Sequence, residues 1–530
     1  MVEKSKKKKI NILLVIRNII YFLLLLFFGF ALFIKKKFHN VGFEQLLFTL
    51  TNPDGANYDV VWTGILFVFL FTFGIILGIF IIKKVFKFLK ISVIFEFNIK
   101  SKKINKRFNY DVFKVTKFRQ IAWFVIILIL GILIPINMID FNTYVKAQKV
   151  NSEFFEEYYV NPSEVNVSFD GKKRNLIYIF VESLESSNVS SANGGLFEES
   201  YIPNLEQLAL DNINFSNTDK IGGVIQVNNT TWTMAGLVAQ TAGIPLKIPI
   251  DGNSYDKYST SLPGAYSIGQ VLEKNGYKNY FMMGSDASFG GRKDYFIQHG
   301  NYEIFDYYKA IELGYIDKDY YEWWGYEDKK LFSYAKKKLT EISKNDEPFN
   351  FTMLTADTHF TDGYLDSSCE KPFDVSYANS FHCSDNKIYE FINWVKKQDF
   401  YKDTTIVIVG DHLTMQEGFY KSGTDNDRYI YNVFINSSVS TENSKNRMVS
   451  AFDLYPTTLA AMGASIEGDK LGLGVNLFSE EKTLLEKMEL TKFNEELVKK
   501  SNYYNKNILG SSYYEMLSDV DDSNKVIEQG

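Results

Sequence analysis

The sequence predicts an α/β domain carried behind N-terminal transmembrane helices. Three observations lead there: long charge-free apolar runs confined to the first 140 residues, Lys and Arg gathered on one side of those runs, and short β-branched runs alternating with helix-like ones after residue 170. Such alternation builds a largely parallel sheet with helices on its faces.

Val60 to Ile82 and Ile121 to Ile139 contain no charged residue, and at about 1.5 Å rise per residue each can cross an apolar layer of roughly 30 Å. Ile19 to Ile34 is also charge-free and extends back through Ile10 if Arg17 snorkels to the interface. A cleaved signal peptide is the competing reading of this first run, but Lys35-Lys36-Lys37 follows where a small-residue cleavage site would stand. The result is three transmembrane helices. Ile91 to Phe97 is apolar, too short to span and interrupted by Glu96, which suits a place at the interface. Lys4, Lys6 to Lys9 and the basic segment from Lys83 to Arg119 fall on the cytoplasmic side by the positive-inside rule, outweighing Lys35 to Lys37. Three crossings then place everything after Asp140 outside.

Composition divides the chain into a membrane anchor at 1–140, a polar connector at 141–170 with a short helix around Glu153 to Tyr159, an α/β domain at 171–479, and a polar, helix-prone tail at 480–530. The net charge of −5 averages a basic anchor and a more acidic exterior part, and gives no argument for nucleic acid as a partner. Leu176 to Val181, Tyr280 to Met283, Phe349 to Leu354 and Thr405 to Val409 have strand length and composition. Ser267 to Asn275, with Gly276 behind it, reads as a capped helix, and Leu331, Ala335, Leu339 and Ile342 form a helical stripe. Cys369 and Cys383 are the only cysteines; both lie in the exterior part, where a disulfide persists, two buried thiols being the alternative.

Three strand-like runs lead into ionisable groups: Leu176 to Val181 into Glu182, Thr405 to Val409 into Gly410-Asp411-His412, and Phe349 to Leu354 through Asp357 to His359. Ligands bind beyond the carboxyl ends of strands in open α/β sheets, so these groups are candidates to converge. Two carboxylates, an imidazole and a Thr hydroxyl would make an oxygen-rich site suited to Mn²⁺ or Mg²⁺ rather than a thiolate zinc site. Taken singly, a Glu after a strand or a Gly-Asp-His turn is an ordinary surface feature. Their shared placement gives them weight. The stretch Val227-Asn-Asn-Thr-Thr-Trp-Thr-Met-Ala-Gly236 supplies the hydroxyl, a polar run entering an apolar, helix-like segment. Its plain reading is an N-cap; its chemical reading is a nucleophile at a helix start, where backbone amides favour phosphate. A Thr hydroxyl beside a divalent cation becomes a better nucleophile, and a phospho-Thr intermediate can pass its cargo to an acceptor. His359 could serve as general acid and base, or only hydrogen-bond within its loop.

Taken in order, Asn175-Leu-Ile-Tyr-Ile-Phe-Val-Glu-Ser-Leu-Glu185, Asn229-Thr-Thr-Trp-Thr-Met-Ala-Gly236 with Ala242-Gly-Ile-Pro-Leu246 after it, Asp357-Thr-His359, Gly410-Asp-His412 and Phe452-Asp-Leu-Tyr-Pro-Thr-Thr-Leu-Ala460 resemble the sulfatase-like phosphoglycerol transferases. The resemblance covers roughly Tyr159 to Phe478 and is closer to the branch that decorates periplasmic glucans than to the lipoteichoic acid synthases. It implies an alkaline-phosphatase/sulfatase-like fold, one divalent cation with Mn²⁺ ahead of Mg²⁺, phosphatidylglycerol as donor and a cell-surface or periplasmic glycan as acceptor. It also implies the plasma membrane of a bacterium, with the catalytic domain outside. By motif match Glu182, Asp411 and His412 resemble metal ligands. The Thr nucleophile, itself a ligand, falls on Thr230, because a hydroxyl residue three positions on, Thr233, accompanies it; Thr231 competes. Ser285-Asp-Ala-Ser-Phe-Gly-Gly-Arg292 resembles the head-group segment, giving Arg292, Asp286 and His359 as substrate contacts. Met283 stands at what looks like a His position of the lipoteichoic acid synthases, and Gly290 at an aromatic one. Cys369 and Cys383 followed by Ser384-Asp385 resemble the glucan-modifying branch.

The leading expectation is therefore a membrane-anchored enzyme that moves glycerol phosphate onto an extracytoplasmic glycan. The same fold could instead carry phosphoethanolamine from phosphatidylethanolamine, or hydrolyse a phosphodiester or sulfate ester, although sulfatases use a modified Cys or Ser and neither stands at position 230. A reading of another class is a non-catalytic, membrane-tethered glycan- or lipid-binding protein. That reading predicts a missing ligand, yet Glu182, Thr230, Asp411 and His412 are all present.

Overall fold

In the computed structural model the described residues are 12–38, 42–51, 58–89, 94–101, 104–111, 116–247, 261–420 and 427–510. The chain divides into two compact units, Met1–Phe43 with Asn57–Thr143, and Glu44–Ala56 with Tyr144–Gly530.

In the first unit, α1 (Ile12–Phe38), α3 (Tyr58–Phe88) and α4 (Lys117–Met138) are long and apolar enough to cross a membrane. Small residues let them approach: a Cβ on Gly29 would lie 3.1 Å from Phe71, and one on Gly131 would lie 3.2 Å from Leu24. The run Ile91 to Phe97, read from sequence as interfacial, enters a hairpin of β1 (Ile94–Ser101) and β2 (Ile104–Asp111). The reason lies in the period: Phe95, Phe97 and Ile99 alternate with Glu96, Asn98 and Lys100, a strand pattern. Residues 91–93 lie outside the described ones. α2 (Phe43–Thr51) follows α1 in sequence but belongs from Glu44 onward to the second unit, where Glu44, Gln45 and Leu46 are buried.

In the second unit, a short ribbon of β3 (Val167–Phe169) and β10 (Ala464–Ile466) flanks a six-stranded sheet. The sheet comprises β4 (Asn175–Val181), β5 (Lys278–Met283), β6 (Glu303–Phe305), β7 (Phe349–Leu354), β8 (Thr404–Gly410) and β9 (Asn432–Ile435), in the order β6-β5-β7-β4-β8-β9. All neighbours are parallel except β9 on β8. Successive β4 side chains point to opposite faces. Tyr178 and Phe180 join one core and Ile177, Ile179 and Val181 the other, so both faces are covered by helices and loops. The capped helix is Ile268–Lys274, with Ser267 and Gln270 forming a reciprocal cap, and the helical stripe lies on Asp328–Ile342 with Leu331, Ala335, Leu339 and Ile342 buried.

Residues 480–510, read from sequence as the start of a polar tail, pack into the domain. Leu484, Leu485, Phe493, Leu497 and Tyr504 join the core of β4 and β8, because the polar run carries an apolar stripe at helical spacing. Residues 511–530 lie outside the described ones.

One close approach joins two structural layers. The helix Thr233–Ala242 crosses the carboxyl end of β8 so closely that a Cβ on Gly236 would lie 2.1 Å from the Asp411 carbonyl oxygen. Gln240 Nε2 donates to the carbonyls of Gly410 (3.0 Å) and Asp411 (3.2 Å) from the next turn. Gly236→Ala must push the helix off the strand end, so a loss of about 2–3 kcal/mol of stability is expected from overpacking, read as a lowered unfolding midpoint of the full chain in detergent.

Candidate active site

The register of the parallel sheet assembles the site. Val181 pairs with Gly410 and Phe180 with Leu354, so the residues that follow each strand emerge side by side at one edge. Glu182, Asp411 and His412 each offer a ligand atom within 4.8 Å of the others, and all three are buried. Ser183, held at φ 55° in the left-handed region, donates its backbone N–H to Asp411 Oδ1 (2.8 Å) and its hydroxyl to Glu182 Oε1 (2.7 Å). A strained non-glycine residue at such a place is a feature of sites held for function. Asp411 Oδ1 also accepts from the His412 amide at 2.8 Å.

Burial of two carboxylates is costly without positive charge. Burial, then the charge of Glu182, pushes the Asp411 carboxyl up to about 7. Burial also acts to raise Glu182, but His359 and His412 outweigh it and hold this carboxyl below the usual range. His412 is pushed up to about 10: burial opposes its charge, and Asp411 and Glu182 prevail. The residues fit a divalent cation on two structural grounds. Asp411 Oδ2 is buried and finds no hydrogen-bond partner among the described residues. His412 Nδ1 lies 2.7 Å from the Leu413 carbonyl, an arrangement that fixes the ring and turns Nε2 toward both carboxylates at 3.4 Å.

The hydroxyl beside this cluster is not the one assigned from sequence. Thr230 Oγ1 donates to the Val227 carbonyl at 2.8 Å and receives the Val227 amide at 3.4 Å, closing a turn around Asn229 at φ 63°. Its side chain is spent on the loop, so the assignment of Thr230 as nucleophile and ligand is corrected. Thr231, the competitor, faces Gln45 Oε1 at 3.5 Å. Thr233 Oγ1 lies 3.3 Å from Glu182 Oε2 and 3.4 Å from His412 Nε2. It is the first residue of its helix, whose N-cap, Trp232, makes no side-chain capping bond. The polar run is therefore not a cap. The helix start faces the cluster with its amides available to an anion.

A cleft opens from Glu182 and Thr233 and includes Ser285, Phe289, Arg292, Trp324 and His359 in its lining. Arg292 is 6% exposed; its Nη2 donates to the Asp286 carbonyl (3.1 Å), and burial lowers its pKa to about 10 against the pull of Glu182. Asp286, read as a substrate contact, serves through that carbonyl, because its carboxylate accepts the Ser288 amide (2.8 Å) in a local turn. His359 Nδ1 lies 2.6 Å from the Phe360 carbonyl, and burial lowers the pKa of the ring although Glu182 opposes it. Cys369 and Cys383 are bonded, tying the loop after His359 to the helix Ser376–Val395. Sequence reading missed Trp324 as a cleft residue and named Ser285 only as part of the head-group segment, with no contact of its own. Their positions depend on a long-range bridge between Ser285 and Gly325 that leaves no local signal.

Three comparisons bear on the chain. A family model described as Sulfatase matches residues 174–464. The phosphoglycerol transferase I of Escherichia coli is 34% identical over 283 residues, 52% of this chain and 35% of that protein, so the match spans about a third of that relative's length. Among solved structures, a lipoteichoic acid synthase from Listeria monocytogenes is 19% identical, covering 62% of this chain and 82% of that one at a TM-score of 0.47. A lipooligosaccharide phosphoethanolamine transferase from Neisseria meningitidis is 12% identical, covering 84% of each chain at a TM-score of 0.49.

The cluster predicts metal binding that depends on each carboxylate. Elemental analysis of the purified chain after Mn²⁺ loading should find about one ion, and Asp411→Asn or Glu182→Gln should weaken binding by more than about 100-fold.

Proposed function

The chain belongs to the sulfatase family, and we propose on that premise that it is a membrane-anchored transferase moving glycerol phosphate from phosphatidylglycerol to an extracytoplasmic glycan. The observation that carries this reading is the Thr233 hydroxyl, placed at a helix start against Glu182 and His412. A threonine there can form a phosphodiester with the transferred group. The likeness to a phosphoglycerol transferase supports glycerol phosphate as the cargo. The charge asymmetry of the anchor supports a catalytic unit outside the plasma membrane of a bacterium.

Glu182, Asp411, His412 and the Thr233 hydroxyl would hold one divalent cation, with Mn²⁺ or Mg²⁺ suited to the donor set. Such a cation supplies Lewis-acid stabilisation of charge on the attacking and phosphoryl oxygens. In the first half-reaction Thr233 Oγ1, an alkoxide whose hydroxyl proton would be lost to solvent on cation binding and which is regenerated as the alkoxide at the end of the cycle, bonds to phosphorus and the bond to the diacylglycerol oxygen breaks. Arg292 holds the phosphoryl oxygens, and the helix amides face the same charge. His359 gives a proton from Nε2 to the departing diacylglycerol. In the second half an acceptor hydroxyl attacks the same phosphorus, gives its proton to His359 and releases Thr233. The proton count closes over the cycle.

Thr233→Ala should lower diacylglycerol release from phosphatidylglycerol vesicles by about 1,000-fold or more, as expected for loss of a nucleophile. Thr230→Ala should keep activity within a few fold, since its hydroxyl serves the turn. The opposite ranking would refute the assignment.

The second half-reaction requires neutral His359, and the neutral fraction rises with pH. Because burial lowers this group from its ordinary 6.5, discharge of the phospho-enzyme to acceptor should rise with pH through a midpoint below 6.5. Single-turnover rates should show this limb in the wild type and lose it in His359→Gln.

A further inference from the structure

The cleft wall carries two polar atoms that the protein leaves unanswered. Arg292 Nε and the Trp324 indole N–H are both buried, and neither finds an acceptor among the described residues. Both are donors. Trp324 is held in place from either side: Trp323, at φ 60°, donates its Nε1 to the Ala356 carbonyl at 2.9 Å, and Gly325 bridges to Ser285 while Tyr326 N–H reaches the Gly284 carbonyl at 2.9 Å. A bulky residue such as Trp323 is held left-handed only where the surrounding structure enforces it, and such residues cluster at sites that position a ligand.

A ligand that completes this wall must bring acceptors. Phosphoryl oxygens answer Arg292; hydroxyl oxygens answer Trp324. The carboxylates nearby are committed elsewhere, Glu182 to Ser183 and His412, and Asp286 to its own turn. An ammonium group brings donors alone and would leave the indole N–H unpaired beside a guanidinium. Nor does the indole offer a bare face for a cation. Phe289 stacks on it at 5.9 Å and 30°, and His359 lies against it at 4.8 Å.

We infer that Trp324 is a specificity-determining residue for the donor head group, its indole N–H donating to a hydroxyl oxygen of the glycerol whose phosphate Arg292 holds. The selection is for a hydroxylated head group over an ammonium one. This rests on the transfer reading above and adds the residue that chooses the cargo.

The test measures diacylglycerol release by the full chain from vesicles carrying either phosphatidylglycerol or phosphatidylethanolamine in one neutral lipid. The wild type should favour phosphatidylglycerol. Trp324→Phe, which keeps a ring but loses the N–H, should raise KM for phosphatidylglycerol about 10-fold, the scale of one lost hydrogen bond, with kcat little changed and the preference narrowed by a similar factor. Trp324→His, which keeps a ring N–H, should recover part of both. An active wild type whose Trp324→Phe variant keeps the same KM and preference would overturn the inference, as would equal defects in Phe and His variants, which would make the residue a packing element. Release from neither lipid by the wild type would instead overturn the transfer reading itself.

Discussion

Negative charge buried at the end of a parallel sheet is the constraint on which the rest of the site depends. Glu182 and Asp411 sit at the ends of neighbouring strands, buried, in a register fixed by Val181 pairing with Gly410. Two carboxylates in that position need positive charge, and His412 lies 3.4 Å from both. A divalent cation answers the same need more fully, since it also satisfies Asp411 Oδ2. Under the proposed reading, the cation that relieves this burial would also polarise the phosphate.

The helix bearing Thr233 is the second constraint. It is locked onto the same strand end by the close approach of Gly236 to the Asp411 carbonyl and by Gln240. The proposed nucleophile and the proposed metal ligands are thus placed by one contact between helix and strand. The cleft that leads to them is walled by rings and closed around Arg292. The loop of His359 is tied down by the Cys369–Cys383 bond.

Much of this was legible in the sequence because parallel strands advertise themselves. Runs such as Leu176 to Val181 and Thr405 to Val409 have few other ways to bury their side chains, so Glu182 and Asp411-His412 followed as strand-end residues. That Thr233, read from sequence only as the companion of Thr230, is the hydroxyl beside the cluster was not legible. Three hydroxyl residues within four positions differ only in where the helix begins, and a left-handed Asn229 together with Trp232 as N-cap sets that boundary at Thr233. Asp286 shows a local turn capturing a carboxylate that motif matching had given to substrate. Trp324 was invisible because a bridge between distant loops places it, and the stripe of Phe493 and Leu497 was hidden in a polar run.

The most direct test of the central claim is peptide mapping by mass spectrometry of the chain quenched during turnover of phosphatidylglycerol without acceptor. The account predicts a glycerol phosphate adduct on Thr233. An adduct on Thr230 or Thr231, or turnover with no adduct on any residue, would contradict it.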